Sequence, residues 1–162
     1  MADVFPNEGL DNLLAIVPKG GAAPSNTWVG LFTAGGATSV PAATVNLSQL
    51  AGAGTVGFAE VSTTLWTTYT RMTAAAGSWG GQGGSTIWST VGRAVQGSQT
   101  AFPAPSGSYS PALPIAGFFL ANALAYGAGS AWYYSNFEDG STIAGLSTGD
   151  VVKVSPGFGF GN

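Results

Sequence analysis

The chain has no cysteine and no histidine, and charge is nearly missing: four Lys/Arg and seven Asp/Glu among 162 residues, or 7%. Each absence removes chemistry. Without cysteine there is no disulfide framework, no thiolate nucleophile and no cysteine-type zinc site. Without histidine, Ser-His-Asp and Cys-His triads and imidazole-ligated metals are excluded. The scarcity of charge bears on the surface instead. A soluble domain ordinarily carries about 25% charged residues. A compact 16.1 kDa chain exposes roughly 7,400 Å², which leaves about one charge per 700 Å². Such a surface is either covered by hydroxyls and amides or buried against other subunits. These absences point to a protein that packs and adheres rather than an enzyme, and no cofactor is expected.

The net charge of -3 and the scattered placement of Lys19, Arg71, Arg93 and Lys153 argue against phosphate-mediated nucleic-acid binding and against an anionic membrane surface. The N-terminus carries Asp3 and Pro6 where a signal peptide needs basic and then apolar residues, so no export signal is expected. The longest apolar stretch, 112–134, is broken by Pro114, Gly117, Asn122, Gly127 and Gly129. It reads as buried strands joined by a turn, not as a membrane span.

What is present is apolar and turn-rich. Hydrophobic residues make up 45%, aromatics 12%, and there are 26 glycines. That balance predicts a mainly β fold: one antiparallel β-sandwich or jelly-roll-like barrel over 1–162 with one short N-terminal helix. The helix is predicted over about 7–18, with Asn7 as cap, Glu8 and Asp11 in its first turn, and an apolar face of Leu10, Leu13, Leu14 and Val17. That face either plugs the β core or anchors on a neighbouring subunit.

Strands are predicted at 27–32, 58–65, 66–74, 85–88, 93–102, 115–123, 131–137 and 151–154, the 115–123 strand being apolar on both faces. Residues 33–57 read as a long uncharged connection lying over a surface or reaching a partner. Glu138-Asp139-Gly140 and 147–150 read as tight turns. The tail over 156–162 is expected to be flexible, presenting Phe158 and Phe160 either to solvent or to a neighbour.

Little catalytic chemistry survives this census. The carboxylates are dispersed, so neither a calcium site nor a glycosidase pair is indicated. Glu60 is expected to pair with Arg71 across a hairpin as a structural contact. The glycine clusters lack the Gly-Lys-Ser/Thr ending of a phosphate loop. Aromatics could stack on sugars or anchor an interface, and Trp79, Tyr109 and Tyr126, set among Gly, Ser and Pro, are expected to be the most exposed. The run Ser62 to Thr70 is expected to form a strand face of hydroxyls that another chain could bury without ionic desolvation.

Asn7-Glu-Gly-Leu10 with Leu13-Leu14, Trp28-Val-Gly-Leu-Phe32, Tyr69-Thr-Arg71, Pro114-Ile-Ala-Gly-Phe-Phe-Leu120 and Gly149-Asp150-Val-Val-Lys-Val154 resemble small virion proteins of tailed bacteriophages. The resemblance spans most of the chain. It implies a structural particle component: a capsid decoration (cement) protein, or alternatively a tail- or fibre-associated one. The implied partners are the major capsid protein and further copies of this chain, a trimer being one such homo-oligomer, and the implied location is the virion's capsid surface. A carbohydrate-binding β-sandwich module is the alternative of a different class. The candidate interface residues are Leu10, Leu13, Leu14, Val17, Trp79, Tyr109, Phe158 and Phe160.

Overall fold

The computed structural model describes residues 3–16, 26–35, 39–51, 57–75, 87–89, 92–137 and 140–161, with backbone alone for 75, 87–89, 92–96 and 158–161. The fold is mainly β and antiparallel, as the sequence predicts. Its centre is a sheet of β1 (Asp3–Val4), β2 (Asn26–Ala34), β3 (Phe58–Glu60), β4 (Met72–Ala75), β8 (Ile115–Ala121) and β9 (Ala131–Asn136), in the order β1-β9-β8-β2-β3, with β4 also paired to β2. β5 (Ile87–Ser89), β6 (Gly92–Gln96) and β11 (Gly157–Gly161) form a three-stranded sheet, and β7 (Thr100–Ala101) pairs with β10 (Lys153–Val154). Among the described residues the strands do not close into a barrel.

Apolar alternation explains why the central sheet is covered twice. Val29, Leu31, Phe118, Leu120 and Tyr133 face one core, where Trp66, Tyr69, Phe102, Tyr109, Val152 and Val154 pack on them. Phe32, Ala34, Phe119, Ala121 and Tyr134 face the other, closed by Val45, Leu47 and Leu50. β8 lies between β2 and β9 and is buried along its whole length, which is why it is apolar at nearly every position. Irregularities at Phe32/Thr33 and Leu120/Ala121 shift the register. The first shifts the side-chain phase of β8, so that Ile115 shares a core with Phe118 and Ala116 shares the other with Phe119.

Gly30 and Gly117 leave room for groups of the neighbouring strands. A Cβ at Gly30 would overlap the Phe119 ring, and one at Gly117 would overlap the Ser135 carbonyl oxygen.

Several expectations are corrected. The connection after β2 does not drape over a surface: its described part, 39–51, folds α2 (Leu47–Leu50) and seals the second core. The Gln49 side chain accepts the Asn46 N–H at 2.7 Å and fixes the start of α2. The expected strands 58–65 and 66–74 shrink to β3 and β4, because residues 61–71 leave the sheet as an irregular step. The expected strand 93–102 divides into β6 and β7. The tail is β11, paired with β6 from Gly157↔Gln96 to Gly161↔Gly92, rather than a loose end. α1 (Asn7–Ile16) begins one residue earlier than a cap at Asn7 implies, since the Pro6 carbonyl accepts the Gly9 and Leu10 N–H groups.

The turns are better anticipated, although Glu138 and Asp139 themselves lie outside the described residues. Gly140 donates its N–H to the Phe137 carbonyl and adopts a φ of 67°, and Asp150 closes on Ser147 through both backbone and side chain.

Candidate functional site

β3 and β4 lie on the same edge of β2 but do not meet. β4 takes residues 26–29 of β2 and β3 takes 32–34. The gap falls at Leu31, whose carbonyl accepts the Val61 N–H and whose own N–H donates to the Tyr69 hydroxyl at 2.9 Å. A side chain thus replaces the missing rung. The phenol is buried at this position, and burial raises its pKa well above the ordinary value, with the Glu60 charge adding to the effect.

The ends of the step are clamped by charge. Arg71 donates through Nε to Glu60 Oε1 at 2.7 Å and through Nη2 to Oε2 at 2.8 Å. Arg71 Nη1 reaches across to the carbonyls of Ala123 and Ala128, at 2.8 and 2.9 Å, in the β8–β9 connection. From the same connection the Gly127 N–H donates to Glu60 Oε2 at 3.0 Å. The guanidinium also lies 5.1 Å from the Phe119 ring centroid. The sequence anticipates this pair, but it closes a step between two separate strands rather than facing across a hairpin. Both side chains are at most 1% exposed, so the pair is buried, and each of its nitrogens and carboxylate oxygens has a hydrogen-bond partner.

Three of the other four described carboxylates are likewise spent on the chain itself. Glu8 Oε1 accepts the N–H groups of Leu47 and Ala131, at 2.9 and 2.6 Å. Asp3 Oδ1 accepts from Ser135 Oγ at 2.7 Å, and Asp150 Oδ2 accepts the Ser147 N–H. Asp11 lies on the exposed side of α1. Among the described residues no three acidic side chains gather where they could hold a metal ion, and no helix is long and apolar enough to cross a membrane.

With Glu60 and Arg71 buried, at most nine of the eleven charged residues serve a surface of 7986 Å². Much of what the described surface offers is neutral. The 61–71 step exposes Thr63, Thr64, Thr67, Thr68 and Thr70 together with Leu65. Thr67 bonds Ser106 Oγ at 2.9 Å and Thr68 donates to the Ala104 carbonyl at 2.8 Å, so two of these hydroxyls already hold the step to the 103–106 loop. The hydroxyl-bearing surface is therefore a loop tied to 103–106, not the predicted strand face.

α1 is turned so that its predicted stripe is split. Gly9 is buried, with Leu13 and Ile16 half-buried behind it, while Leu10 and Leu14 are 41% and 56% exposed. Gly9 sets this orientation, because a Cβ there would lie 2.7 Å from the Ala131 oxygen and 2.8 Å from the Trp132 oxygen. Only a bare backbone lets the helix approach β9 so closely.

The remaining candidates separate. Tyr109 is buried at 1% exposure, its ring 5.5 Å from Trp66 and its backbone bridged to Leu146. Burial pushes its phenol up to about 12, and it is not the exposed platform the sequence suggests. Tyr126 is exposed as expected, with its hydroxyl donating to the Ala51 carbonyl. Phe158 and Phe160 belong to β11, whereas Val17 and Trp79 lie outside the described residues. Glu8 is the functional group that sequence reasoning missed. An acid in a first helical turn ordinarily signals the helix dipole, and nothing local marks it as a long-range acceptor.

Compared with known families and with curated proteins, the sequence matches no family model and no curated relative.

Proposed function

We propose that this chain is a non-enzymatic structural protein of a tailed-bacteriophage virion, most simply a decoration (cement) protein that binds the capsid exterior and ties neighbouring capsomers together. The observation that carries the reading is the near-neutral surface. Two of the few charges are locked inside as Glu60–Arg71, and Glu8, Asp3 and Asp150 hydrogen-bond within the chain. Apolar and hydroxyl-bearing contacts at Leu10, Leu14, Leu65 and the 63–70 threonines can then be buried against a partner with little ionic desolvation. Repetition over many copies supplies strength that no single contact needs to have.

Electron microscopy of the intact particle tests this reading. Density for this fold on the capsid exterior supports it. Density on the tail or fibre moves the chain to another structural role, and absence from the particle overturns the proposal.

A further inference from the structure

The chain's N-terminal arm, β1 followed by α1, is attached to the body by strand pairing, by hydrogen bonds in both directions, and by the packing of Val4 and Phe5 on the two cores. Asp3 and Val4 pair with Ser135 and Tyr134 on the edge of β9. The Asn7 N–H donates to the Ala43 carbonyl at 2.8 Å. Glu8 accepts from Leu47 and Ala131. Every partner of these arm groups belongs to the body, beyond a connection of nine residues, 17–25. A connection of that length spans at most roughly 30 Å. The arm seats Phe5 against Tyr133, with ring centroids 5.0 Å apart, and Val4 on the second core, while Leu10 and Leu14 face outward. The body needs these contacts too. Without it, β9 has an open hydrogen-bonding edge, and the Leu47 and Ala131 amides lose their acceptor.

We propose that this arm is an exchangeable strand-and-helix connector, which docks on β9 and α2 of a second copy of the same chain. An identical copy offers the same groups in the same register, so exchange conserves every contact of the closed form. The sparse surface charge removes most of the electrostatic cost of bringing two bodies together. The exchange also carries the exposed Leu10 and Leu14 onto the neighbour, where the junction between two copies can cover them. The inference deepens the assembly reading and rests on it only in taking the chain to meet copies of itself.

The absence of native cysteine makes a clean test possible. Asp3 and Ser135 are direct cross-strand partners, so D3C and S135C place two thiols at disulfide range. Purified D3C and S135C chains are mixed in a glutathione redox buffer at high protein concentration. Asn7→Cys with Ala43→Cys repeats the test at an exposed and a half-buried position, in case the β9 variants fold poorly. Exchange gives a heterodisulfide in roughly tenfold or greater excess over either homodisulfide, because a docked arm raises the local concentration of the designed pair. If the mixtures give no such excess while the D3C/S135C double variant closes within its own chain, the arm serves only its own body and the proposal is overturned. Cross-linking without binding to phage heads would overturn the particle reading alone. Binding to heads without cross-linking would overturn the exchange alone.

Discussion

Glu60 and Arg71 meet at 2.7 Å in the interior, where they fasten the ends of β3 and β4 to the β8–β9 connection. Removing one partner leaves the other buried and uncompensated. Glu60→Gln or Arg71→Met should each lower unfolding free energy by about 3–5 kcal/mol. The double variant should lose clearly less than the sum of the two, a non-additivity of about 0.5–3 kcal/mol. Urea unfolding of all four proteins measures the cycle. Simple additivity would mean that the two side chains act independently.

The Tyr69 hydroxyl stands in for a strand rung at Leu31. Tyr69→Phe keeps the ring packing on Phe102 and Trp66 but strands a buried N–H, with an expected loss of about 1–3 kcal/mol. Hydrogen exchange at the Leu31 amide should accelerate in the same variant. An unchanged Leu31 amide would show that the phenol is not its acceptor.

Alanine for glycine inside a helix ordinarily stabilises by about 1 kcal/mol. At Gly9 the opposite is expected, because the added methyl meets the β9 backbone. Gly9→Ala should expose the Leu47 and Ala131 amides, which Glu8 otherwise covers. Thermal melting together with amide exchange decides it, and a more stable variant with both amides still protected would contradict the docking described.

All five tyrosines have pKa values raised above 10.0, with burial the largest cause in each. A phenol that holds its proton more tightly when folded contributes stability below pH 10, and that contribution falls as the pH rises through the folded value. For Tyr109 the window runs from 10 to about 12. Tyrosinate absorbance should therefore lag behind free tyrosine and rise together with loss of the β circular-dichroism signal. A full rise near pH 10 with the fold intact would contradict this burial.

Much of the fold is legible in the sequence because it depends on local pattern. β2, β8 and β9 announce themselves by dense apolar and aromatic residues, and the 137–140 and 147–150 turns by glycine and aspartate. The Glu60–Arg71 pair is legible for a different reason: no other charge lies between Lys19 and Arg93. Two isolated opposite charges in a neutral stretch have few partners but each other. What stays hidden depends on long-range geometry. The threonines of 62–70 have β propensity, yet Trp66 and Tyr69 reach into the core and pull the chain off the sheet. Val45, Leu47 and Leu50 lie in an uncharged stretch without clear periodicity, so nothing local identifies them as a lid. The outward turn of Leu10 and Leu14 follows from the bare backbone at Gly9, which apolar spacing does not weigh.

The most direct measurement of the proposed role is co-sedimentation of the purified chain with tailed-bacteriophage heads, its proposed partner, across a range of salt concentrations. A near-neutral contact surface should bind at a saturating stoichiometry that changes little with ionic strength, since few charges are available to be screened. Leu10→Ser with Leu14→Ser should weaken that binding while leaving the chain's own stability within about 0.5 kcal/mol. A soluble monomer that stays in the supernatant at every salt concentration would contradict the account.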